Sequence, residues 1–335
     1  MIKEALATLS TGQDLDRETM IAVMNEIMEG LGTTAQIGAF LMGLRLKGET
    51  VDEITGAAVV MRAKAKKISA PGPCLDTCGT GGDHSGTFNI STTAAFIAAG
   101  AGLTVAKHGN RAATSSCGSA DVLAALGVNI EAGPETVERC LAEAGIGFLF
   151  APTLHAAMRH AIGPRRELGI RTIFNVLGPL TNPAGASRQL LGVFSPGLTA
   201  PLASTLKNLG SEAAMVVHGL DGLDEITLTA STQVSELRDG EVRTYQLAPS
   251  KLGLALCRRQ DLLGGDPAAN ARILRDVLDG VPGPALEISV LNAGAAIYAG
   301  GRAATVIEGI GRAREAVASG EARRRLERLI AVSKE

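Results

Sequence analysis

The groups best suited to chemistry are concentrated in one stretch of the chain, residues 76–121. It opens on a turn that contains Gly79, Gly81 and Gly82. Residues without a Cβ permit positive φ and let backbone N–H groups approach a ligand directly. Short hydroxyl side chains follow, and then a Lys-His-Gly-Asn-Arg run at 107–111. Donors and cations at this density predict a binding site for a polyanion such as a phosphate ester.

A second chemical feature is the adjacent carboxylate pair Asp224 and Glu225. The pair follows an apolar run and the turn 218–222. Neighbouring carboxylates repel one another unless a cation lies between them, and hard oxygen ligands of this kind suit Mg²⁺. An acidic dipeptide is also common on ordinary protein surfaces, so the residues alone leave both interpretations open.

The elements around the glycine-rich turn predict how it is positioned. Apolar Cys74 and Leu75 precede the turn and a helical run over 91–100 follows it, which is the order strand, loop, helix. The free N–H groups at a helix N-terminus favour an anion there. The apolar run 103–106 predicts a short buried strand that delivers residues 107–111 to its carboxyl end, the edge of an open α/β sheet where ligands bind.

The rest of the chain divides into a helical part and an alternating part. Residues 1 to about 68 carry helical periodicity only, including a capping box formed by Thr50 and Glu53. After the linker 71–73, short apolar runs alternate with helical ones, and a hairpin is indicated about Asp239-Gly240.

These patterns predict an α/β fold class, with a small N-terminal helical domain and a larger α/β domain built on a central, mostly parallel sheet. The predicted bounds are 1–70 for the helical domain and 74–335 for the α/β domain. The segment 165–185 is ambiguous, because its first half could return to the helical domain.

Composition excludes several kinds of partner. The 335 residues are 46% apolar, and the formal net charge of −2 leaves no basic footprint for nucleic acid or for a membrane surface. The apolar run 94–106 is too short to span a bilayer. Five cysteines without a Cys-x-x-Cys spacing are typical of reduced thiols. We therefore expect a soluble cytoplasmic protein that binds small molecules and a second copy of itself.

Four ordered motifs resemble those of the anthranilate phosphoribosyltransferase family. They are Gly-Thr-Gly-Gly-Asp at 79–83, Asn-Ile-Ser-Thr at 89–92, Lys-His-Gly-Asn-Arg at 107–111 and Gly-Ser-Ala-Asp at 118–121. The similarity covers nearly the whole chain, since it continues through His155, Arg165, 167–175, 177–184 and 224–225.

The resemblance implies a Mg²⁺-dependent pentosyltransferase of tryptophan biosynthesis. Such an enzyme transfers the phosphoribosyl group of 5-phosphoribosyl 1-pyrophosphate to the amine of anthranilate, and no general base is identified. It is expected to be a homodimer with two magnesium ions per monomer, held at Ser91, Asp224 and Glu225. The family also implies that part of 165–185 joins the helical domain, so that the active site lies in the cleft between the domains.

The resemblance further assigns substrate ligands. Phosphoribosyl pyrophosphate is assigned to Gly79, Gly82, Asp83, Thr87, Asn89, Ile90, Ser91, Thr92, Lys107, His108, Gly109, Asn110, Arg111, Ala112, Ala113, Thr114, Ser115 and Ser119. Anthranilate is assigned to Gly79, Asn110 and Arg165, because a guanidinium can bind its carboxylate bidentately. Taken alone, Arg165 could equally be half of a structural salt bridge, and His108 and His155 could equally be buried hydrogen-bonded histidines.

The chain departs from the family pattern at four positions. His84 stands where glycine is usual, Cys117 stands where serine is common, and Ala156 and Gly163 replace prolines. The loss of a hydroxyl at Cys117 affects one contact near the phosphates, and His84 could add a charge there.

Two other functions fit parts of the pattern. A pyrimidine nucleoside phosphorylase shares the Lys-His-Gly run, but it would use phosphate as nucleophile and would need no acidic magnesium pair. A nucleic-acid-binding paralogue would need a basic groove, which the near-neutral charge disfavours.

Overall fold

The computed structural model describes residues 1–112 and 116–335. Its N-terminal part contains the helices α1 (Ile2–Ser10), α2 (Arg17–Met28), α3 (Thr34–Lys47) and α4 (Val51–Lys64). The predicted capping box opens α4, where Thr50 Oγ1 accepts from the Glu53 N–H and the Glu53 carboxylate accepts from the Thr50 N–H. Glu53 is buried and pairs with Lys47 Nζ at 2.9 Å, so the same side chain ties α3 to α4.

Within the described residues, the strands form one seven-stranded sheet. They are β1 (Leu75–Gly79), β2 (Val105–Gly109), β3 (Ile146–Phe150), β4 (Arg188–Gly192), β5 (Ala213–Gly219), β6 (Thr232–Arg238) and β7 (Glu241–Leu247). The order across the sheet is β3-β2-β1-β4-β5-β6-β7. The pairs from β3 to β5 are parallel, and β6 and β7 add an antiparallel hairpin that turns at Asp239-Gly240 as predicted. The mostly parallel α/β class is confirmed.

Helices cover both faces of this sheet. They are α5 (Ile90–Gly100), α6 (Ser119–Leu126), α7 (Pro134–Glu143), α8 (Ala151–Leu154), α9 (Arg159–Leu168), α10 (Phe174–Leu177), α11 (Thr199–Asn208), α12 (Pro267–Leu278), α13 (Pro284–Ala299), α14 (Val306–Ala318) and α15 (Glu321–Val332). Leu190 packs in the core built on α5 and α13, whereas its neighbour Leu191 packs in the core shared with the N-terminal helices. This alternation is what a strand buried on both faces requires.

The buried helices are short relative to a bilayer. The longest of them, α13, has 16 residues. Across residues 1–112 and 116–335, no helix combines the length and the apolar character needed to cross a membrane.

The segment that precedes β4 packs on the N-terminal helices. Helix α9 contacts α2 and α3, and α10 contacts α4. Ala161, Ile173 and Leu177 belong to the apolar cluster that also holds Met24 and Phe40. We propose on these contacts that the helical domain comprises 1–70 with part of 165–185, and the α/β domain 74–335.

One strand differs from its predicted bounds. The sequence predicts a strand over 103–106 with residues 107–111 beyond its end, whereas β2 spans Val105–Gly109. The pairing with β3 runs the full length from Val105 to Gly109. Lys107 and His108 therefore lie inside the strand and are 3% and 7% exposed. A count of apolar residues misplaces this strand because two of its buried side chains are polar.

Candidate active site

The loop between β1 and α5 has the backbone geometry of an anion-binding turn. Gly81, Gly82 and Gly86 have φ of +65°, +77° and +69°, in the left-handed region that glycine adopts freely. His84 takes a φ of +54° without being glycine. The Asp83 carboxylate accepts from the Ser85 N–H at 3.2 Å and closes a turn around His84.

The acidic pair lies directly against this loop. The Gly81 N–H donates to Asp224 Oδ2 at 2.9 Å, and a Cβ on Gly79 would lie 2.8 Å from the same oxygen. Glu225 Oε1 accepts from the Ser91 N–H at 3.0 Å, in the first turn of α5. The two carboxylates thus meet the glycine-rich loop and a helix N-terminus at one place.

Burial and repulsion from a neighbouring carboxylate raise the pKa values of both carboxyl groups. Burial is the larger cause; it raises the pKa of Asp224 to about 7, with Asp83 adding to the shift. In the same way, burial and then Asp224 raise the pKa of Glu225 to about 8. The Asp224 N–H donates to Asp83 Oδ2 at 3.4 Å, so a third acidic group faces the pair. A cation at this place would offset the repulsion.

The donor atoms here fit magnesium. In the part of the chain that the structure describes, no three His, Cys, Asp or Glu side chains close into a metal-binding cluster, so Asp83 does not complete a cage with the pair. Mg²⁺ is commonly held by one or two carboxylates together with water and substrate phosphates. Asp224 and Glu225 supply that number of carboxylates next to a loop that can bind phosphate.

Lys107 and His108 point to opposite sides of β2, as successive residues of a strand do. Lys107 Nζ donates to the Thr77 carbonyl, and burial lowers its pKa against the opposing effect of the Asp76 carboxylate. His108 Nε2 lies 3.2 Å from His155 Nε2. Burial lowers the pKa of His108 to about 3 and that of His155 to about 4. Lys107 is therefore a buried basic group beside β1, and the histidines form a neutral hydrogen-bonded pair.

The carboxylate of Asp121 bonds to described residues on both sides of 113–115. It accepts from the N–H groups of Ala112 and Gly118, both at 2.9 Å, and from the Arg111 guanidinium at 3.1 Å. Arg111 therefore already has an anionic partner. Ala113, Thr114 and Ser115, which the resemblance assigns to phosphoribosyl pyrophosphate, lie outside the described residues.

Arg165 lies in the last turn of α9, with its guanidinium 5.0 Å from the centroid of the Phe174 ring. Burial lowers its pKa, and no carboxylate among residues 1–112 and 116–335 contributes an opposing shift. The structural salt bridge that the sequence left open thus has no partner in this part of the chain. A half-buried guanidinium without an anionic partner is suited to a carboxylate from outside the chain.

The predicted residues fall into three places in the structure. One group lies around the acidic pair: Gly79, Gly82, Asp83, Ser91, Asp224 and Glu225. A second lies around Asp121: Asn110, Arg111, Ala112 and Ser119. Arg165 stands apart, on the segment that packs against the helical domain.

Two residues that the sequence analysis did not single out contact predicted ligands of phosphoribosyl pyrophosphate. Arg171 donates to the Gly82 carbonyl, and its guanidinium lies 4.2 Å from the centroid of the Phe194 ring. Asn270 donates to Asn89 Oδ1 at 3.0 Å. Arg171 lies in a run that carries the family resemblance, which was its one signal. Asn270 lies in an ordinary amphipathic helix, and nothing in its neighbours marks it.

Comparison with known proteins agrees with this geometry. The model of the glycosyl transferase family, helical bundle domain, matches residues 3–65, and that of the glycosyl transferase family, a/b domain, matches residues 71–323. The anthranilate phosphoribosyltransferase of Acetivibrio thermocellus is 54% identical over 98% of this chain and 96% of its own length. That of a Bradyrhizobium species is 55% identical over 99% of this chain and 98% of its own.

Solved structures give the same result. The anthranilate phosphoribosyltransferase of Thermus thermophilus superposes with a TM-score of 0.93 at 45% identity, over 99% of both chains. The Saccharomyces cerevisiae enzyme in complex with PRPP and Mg gives a TM-score of 0.88 at 30% identity, over 99% of this chain and 98% of its own. The resemblance carried by the four motifs is confirmed, and this chain belongs to the anthranilate phosphoribosyltransferase family.

Proposed function

We propose that this chain transfers the phosphoribosyl group of 5-phosphoribosyl 1-pyrophosphate to the amine of anthranilate, giving N-(5-phosphoribosyl)anthranilate and pyrophosphate. The observation that carries the proposal is the bond from the Gly81 N–H to Asp224 Oδ2, which sets an anion-binding loop against a pair of metal-binding carboxylates. Relatives more than half identical over nearly the whole chain are named for this activity. The chain is then a pentosyltransferase of tryptophan biosynthesis.

Phosphoribosyl pyrophosphate is the donor of the transferred group, and its proposed site, the donor site, is built from three elements. The glycine-rich loop contributes backbone N–H groups at Gly79 and Gly82, and a Cβ on Gly79 would lie 2.8 Å from Asp224 Oδ2. The first turn of α5, residues 89–92, has no side-chain cap from Asn89, and its Ser91 N–H donates to Glu225, which leaves the Thr92 N–H for a phosphate. Lys107, whose Nζ donates to the Thr77 carbonyl of β1, is the proposed basic ligand. The remaining proposed ligands are Asp83, Thr87, His108, Gly109, Asn110, Arg111, Ala112 and Ser119, with Ala113, Thr114 and Ser115 proposed from the resemblance alone.

Magnesium belongs to this donor site. The yeast relative carries Mg together with PRPP, and we propose two ions per monomer, with Ser91, Asp224 and Glu225 as the protein's ligands. When bound, magnesium neutralises negative charge on the pyrophosphate as it leaves.

The acceptor is proposed to bind near Arg165. Its guanidinium would pair with the anthranilate carboxylate, while Gly79 and Asn110 lie on the side of the amine. The Phe174 ring under the guanidinium fixes its plane. The yeast relative has been solved with 4-fluoroanthranilate, a molecule that carries the same carboxylate and amine.

The proposed reaction needs little acid–base catalysis from the protein. An aromatic amine is unprotonated at neutral pH, so it can attack C1 of the ribose without a strong general base. His108 and His155 are neutral and bonded to each other, and their lowered pKa values make them poor proton donors near pH 7. Orientation of the two substrates and stabilisation of the leaving pyrophosphate are then the main sources of rate.

The proposal also includes the oligomeric state of the protein and its location in the cytoplasm. We propose a homodimer formed through the N-terminal helices, where Leu31 and Leu46 are 69% and 79% exposed. All five cysteines are free thiols, four of them buried, as is usual in the reducing cytoplasm.

One assay tests the activity. The protein is mixed with anthranilate, phosphoribosyl pyrophosphate and Mg²⁺, and the loss of anthranilate fluorescence is followed. We expect a loss that requires all three components. If fluorescence is unchanged at every magnesium concentration, the proposed function is wrong. A nucleoside with inorganic phosphate, supplied in parallel, tests the nucleoside phosphorylase alternative.

A further inference from the structure

A short segment from the far end of the chain lies against both halves of the proposed donor site. We call residues 262–265 the strap. Thr87 of the glycine-rich loop pairs with Leu263 of the strap in an antiparallel bridge. On the other side, Ser116 Oγ donates to the Gly265 carbonyl at 3.1 Å. The strap therefore connects the loop after β1 to the segment that follows β2.

A directed chain of hydrogen bonds crosses this contact. The Gly265 N–H donates to Asn270 Oδ1 at 2.7 Å, Asn270 Nδ2 donates to Asn89 Oδ1 at 3.0 Å, and Asn89 Nδ2 donates to the Cys117 carbonyl at 3.1 Å. A backbone N–H can only donate and a backbone carbonyl can only accept. The two backbone ends therefore fix which way round both amides must lie.

This orientation prevents the Asn89 side chain from capping the N-terminus of α5. Asn89 is the N-cap residue of α5, yet its side chain makes no capping hydrogen bond. An asparagine at this position normally accepts from an N–H of the first helical turn. Here Asn89 Oδ1 already accepts from Asn270, at 3.0 Å, and from Cys117 Sγ, at 3.4 Å. The Ser91 N–H donates to Glu225 Oε1 and the Ile90 N–H to the Phe88 carbonyl, so the first-turn N–H that Asn89 leaves to an anion is that of Thr92.

We propose that Asn270 is a positioning residue of the donor site. It holds Asn89 Oδ1 away from the N-terminus of α5 and fixes the Asn89 amide with one N–H on the Cys117 carbonyl. The second amide N–H and the Thr92 N–H can then donate to the phosphates of phosphoribosyl pyrophosphate. Asn270 is 2% exposed and acts through Asn89 without touching substrate. The inference rests on the proposed function, in which residues 89–92 bind phosphoribosyl pyrophosphate.

The test uses the full-length enzyme and two substitutions at one position. Asn270→Asp keeps the shape and the acceptor for the Gly265 N–H but cannot donate to Asn89, and Asn270→Ala removes both bonds. Each should raise the KM for phosphoribosyl pyrophosphate by about ten- to a hundredfold, the range expected when a hydrogen bond to a charged group is lost. The KM for anthranilate should change little.

Two controls separate positioning from support of the fold. Asp266→Ala removes the N-cap bond of the same helix, α12, to the Ala269 N–H at 2.7 Å, and touches nothing at Asn89. It should lower the melting temperature and leave both KM values unchanged. A double-mutant cycle with Asn89→Ala should be non-additive, because Asn270 affects phosphate binding only through the Asn89 side chain.

Each possible result supports or contradicts the positioning role of Asn270. A selective rise in the donor KM with non-additivity supports the inference. Unchanged donor KM, equal weakening of both substrates, additivity with Asn89→Ala, or failure of both Asn270 variants to fold would each make Asn270 a structural residue. Absence of turnover in the wild-type enzyme would instead contradict the proposed function itself.

Discussion

At the scale of single residues, Arg165 separates recognition of the acceptor from that of the donor. It is half-buried over Phe174, and no carboxylate in the described residues neutralises it. We expect Arg165→Ala to raise the KM for anthranilate by about ten- to a hundredfold, since a charge-assisted hydrogen bond contributes roughly 1.5 to 3 kcal/mol. The KM for phosphoribosyl pyrophosphate should be nearly unchanged. Steady-state kinetics with each substrate varied in turn measures both.

Arg166 provides the matched control. It is the next residue on α9 and is exposed, so Arg166→Ala should keep both wild-type KM values. If Arg165→Ala weakened both substrates equally, or lowered the melting temperature by many degrees, Arg165 would be a structural residue.

The buried histidine pair predicts a loss of stability in acid. The pKa values of His108 and His155 fall to about 3 and 4 in the folded chain, against about 6.5 when unfolded. Between these values the unfolded state binds more protons, so stability rises with pH. The contribution is complete above about pH 6.5 and is reduced by about 2 kcal/mol per histidine at pH 5. Urea unfolding at pH 7 and 5 measures this contribution when the wild type is compared with a variant that lacks both histidines.

The comparison is the double variant His108→Asn, His155→Gln, which should lose less stability between pH 7 and pH 5. Burial raises the pKa of Asp76 to about 6, of Asp224 to about 7 and of Glu225 to about 8. These groups give the opposite slope between pH 5 and 7, but both proteins share their contributions. Equal losses in the two proteins would mean that the histidines are not buried as neutral groups.

The sequence could predict those site residues whose amino-acid type alone indicates what they bind. Glycines in a turn, Lys107 and the Asp224-Glu225 pair stand out by composition, and the structure brings the turn and the pair together. Arg171 and Asn270 could not be singled out, because their effect depends on partners 89 and 181 residues away in the chain. Contacts of this length leave no local pattern.

At the scale of elements, the crossing of α13 and α14 depends on two glycines. A Cβ on Gly309 would lie 2.1 Å from the Gly294 carbonyl oxygen, so the helices would have to separate. We expect Gly309→Ala to destabilise the protein by about 1 to 3 kcal/mol, as measured by thermal or urea unfolding. Gly311→Ala on the same helix meets nothing within 4 Å and should leave stability unchanged or raised. Equal effects would mean that the close approach carries no energetic weight.

Elements with a clear period were the easiest to predict. The helices α2, α3 and α4 and the hairpin of β6 and β7 follow from apolar spacing and turn residues alone. Strand β2 was misplaced by two residues at its start and three at its end, because Lys107 and His108 are buried by tertiary contacts that propensity does not contain. The errors thus fall where the strand serves the site.

At the scale of the whole molecule, the sheet and the N-terminal helices share one core. The cluster that holds Met24 and Phe40 also holds Leu191 and Val216 of the sheet. Because α9 carries Arg165 and packs on α2 and α3, movement of the helical part would carry the proposed acceptor residue with it. The sequence could suggest this return of the chain by resemblance alone, since no local signal states which helices a later segment will contact.

The N-terminal helices also carry the proposed contact between two copies. Leu31 and Leu46 are 69% and 79% exposed, and burial of such side chains in a shared interface is favourable. We expect the wild-type chain to sediment at twice the mass of one chain, and Leu31→Lys with Leu46→Lys to sediment at that of one, because a lysine in a buried interface loses its hydration. The control pair is Leu256→Lys with Val281→Lys, at positions 65% and 51% exposed on the α/β part, which should leave the mass doubled. A monomeric wild type would contradict the proposed dimer, and a dimer that survives only the first pair of substitutions would place its interface on the α/β part.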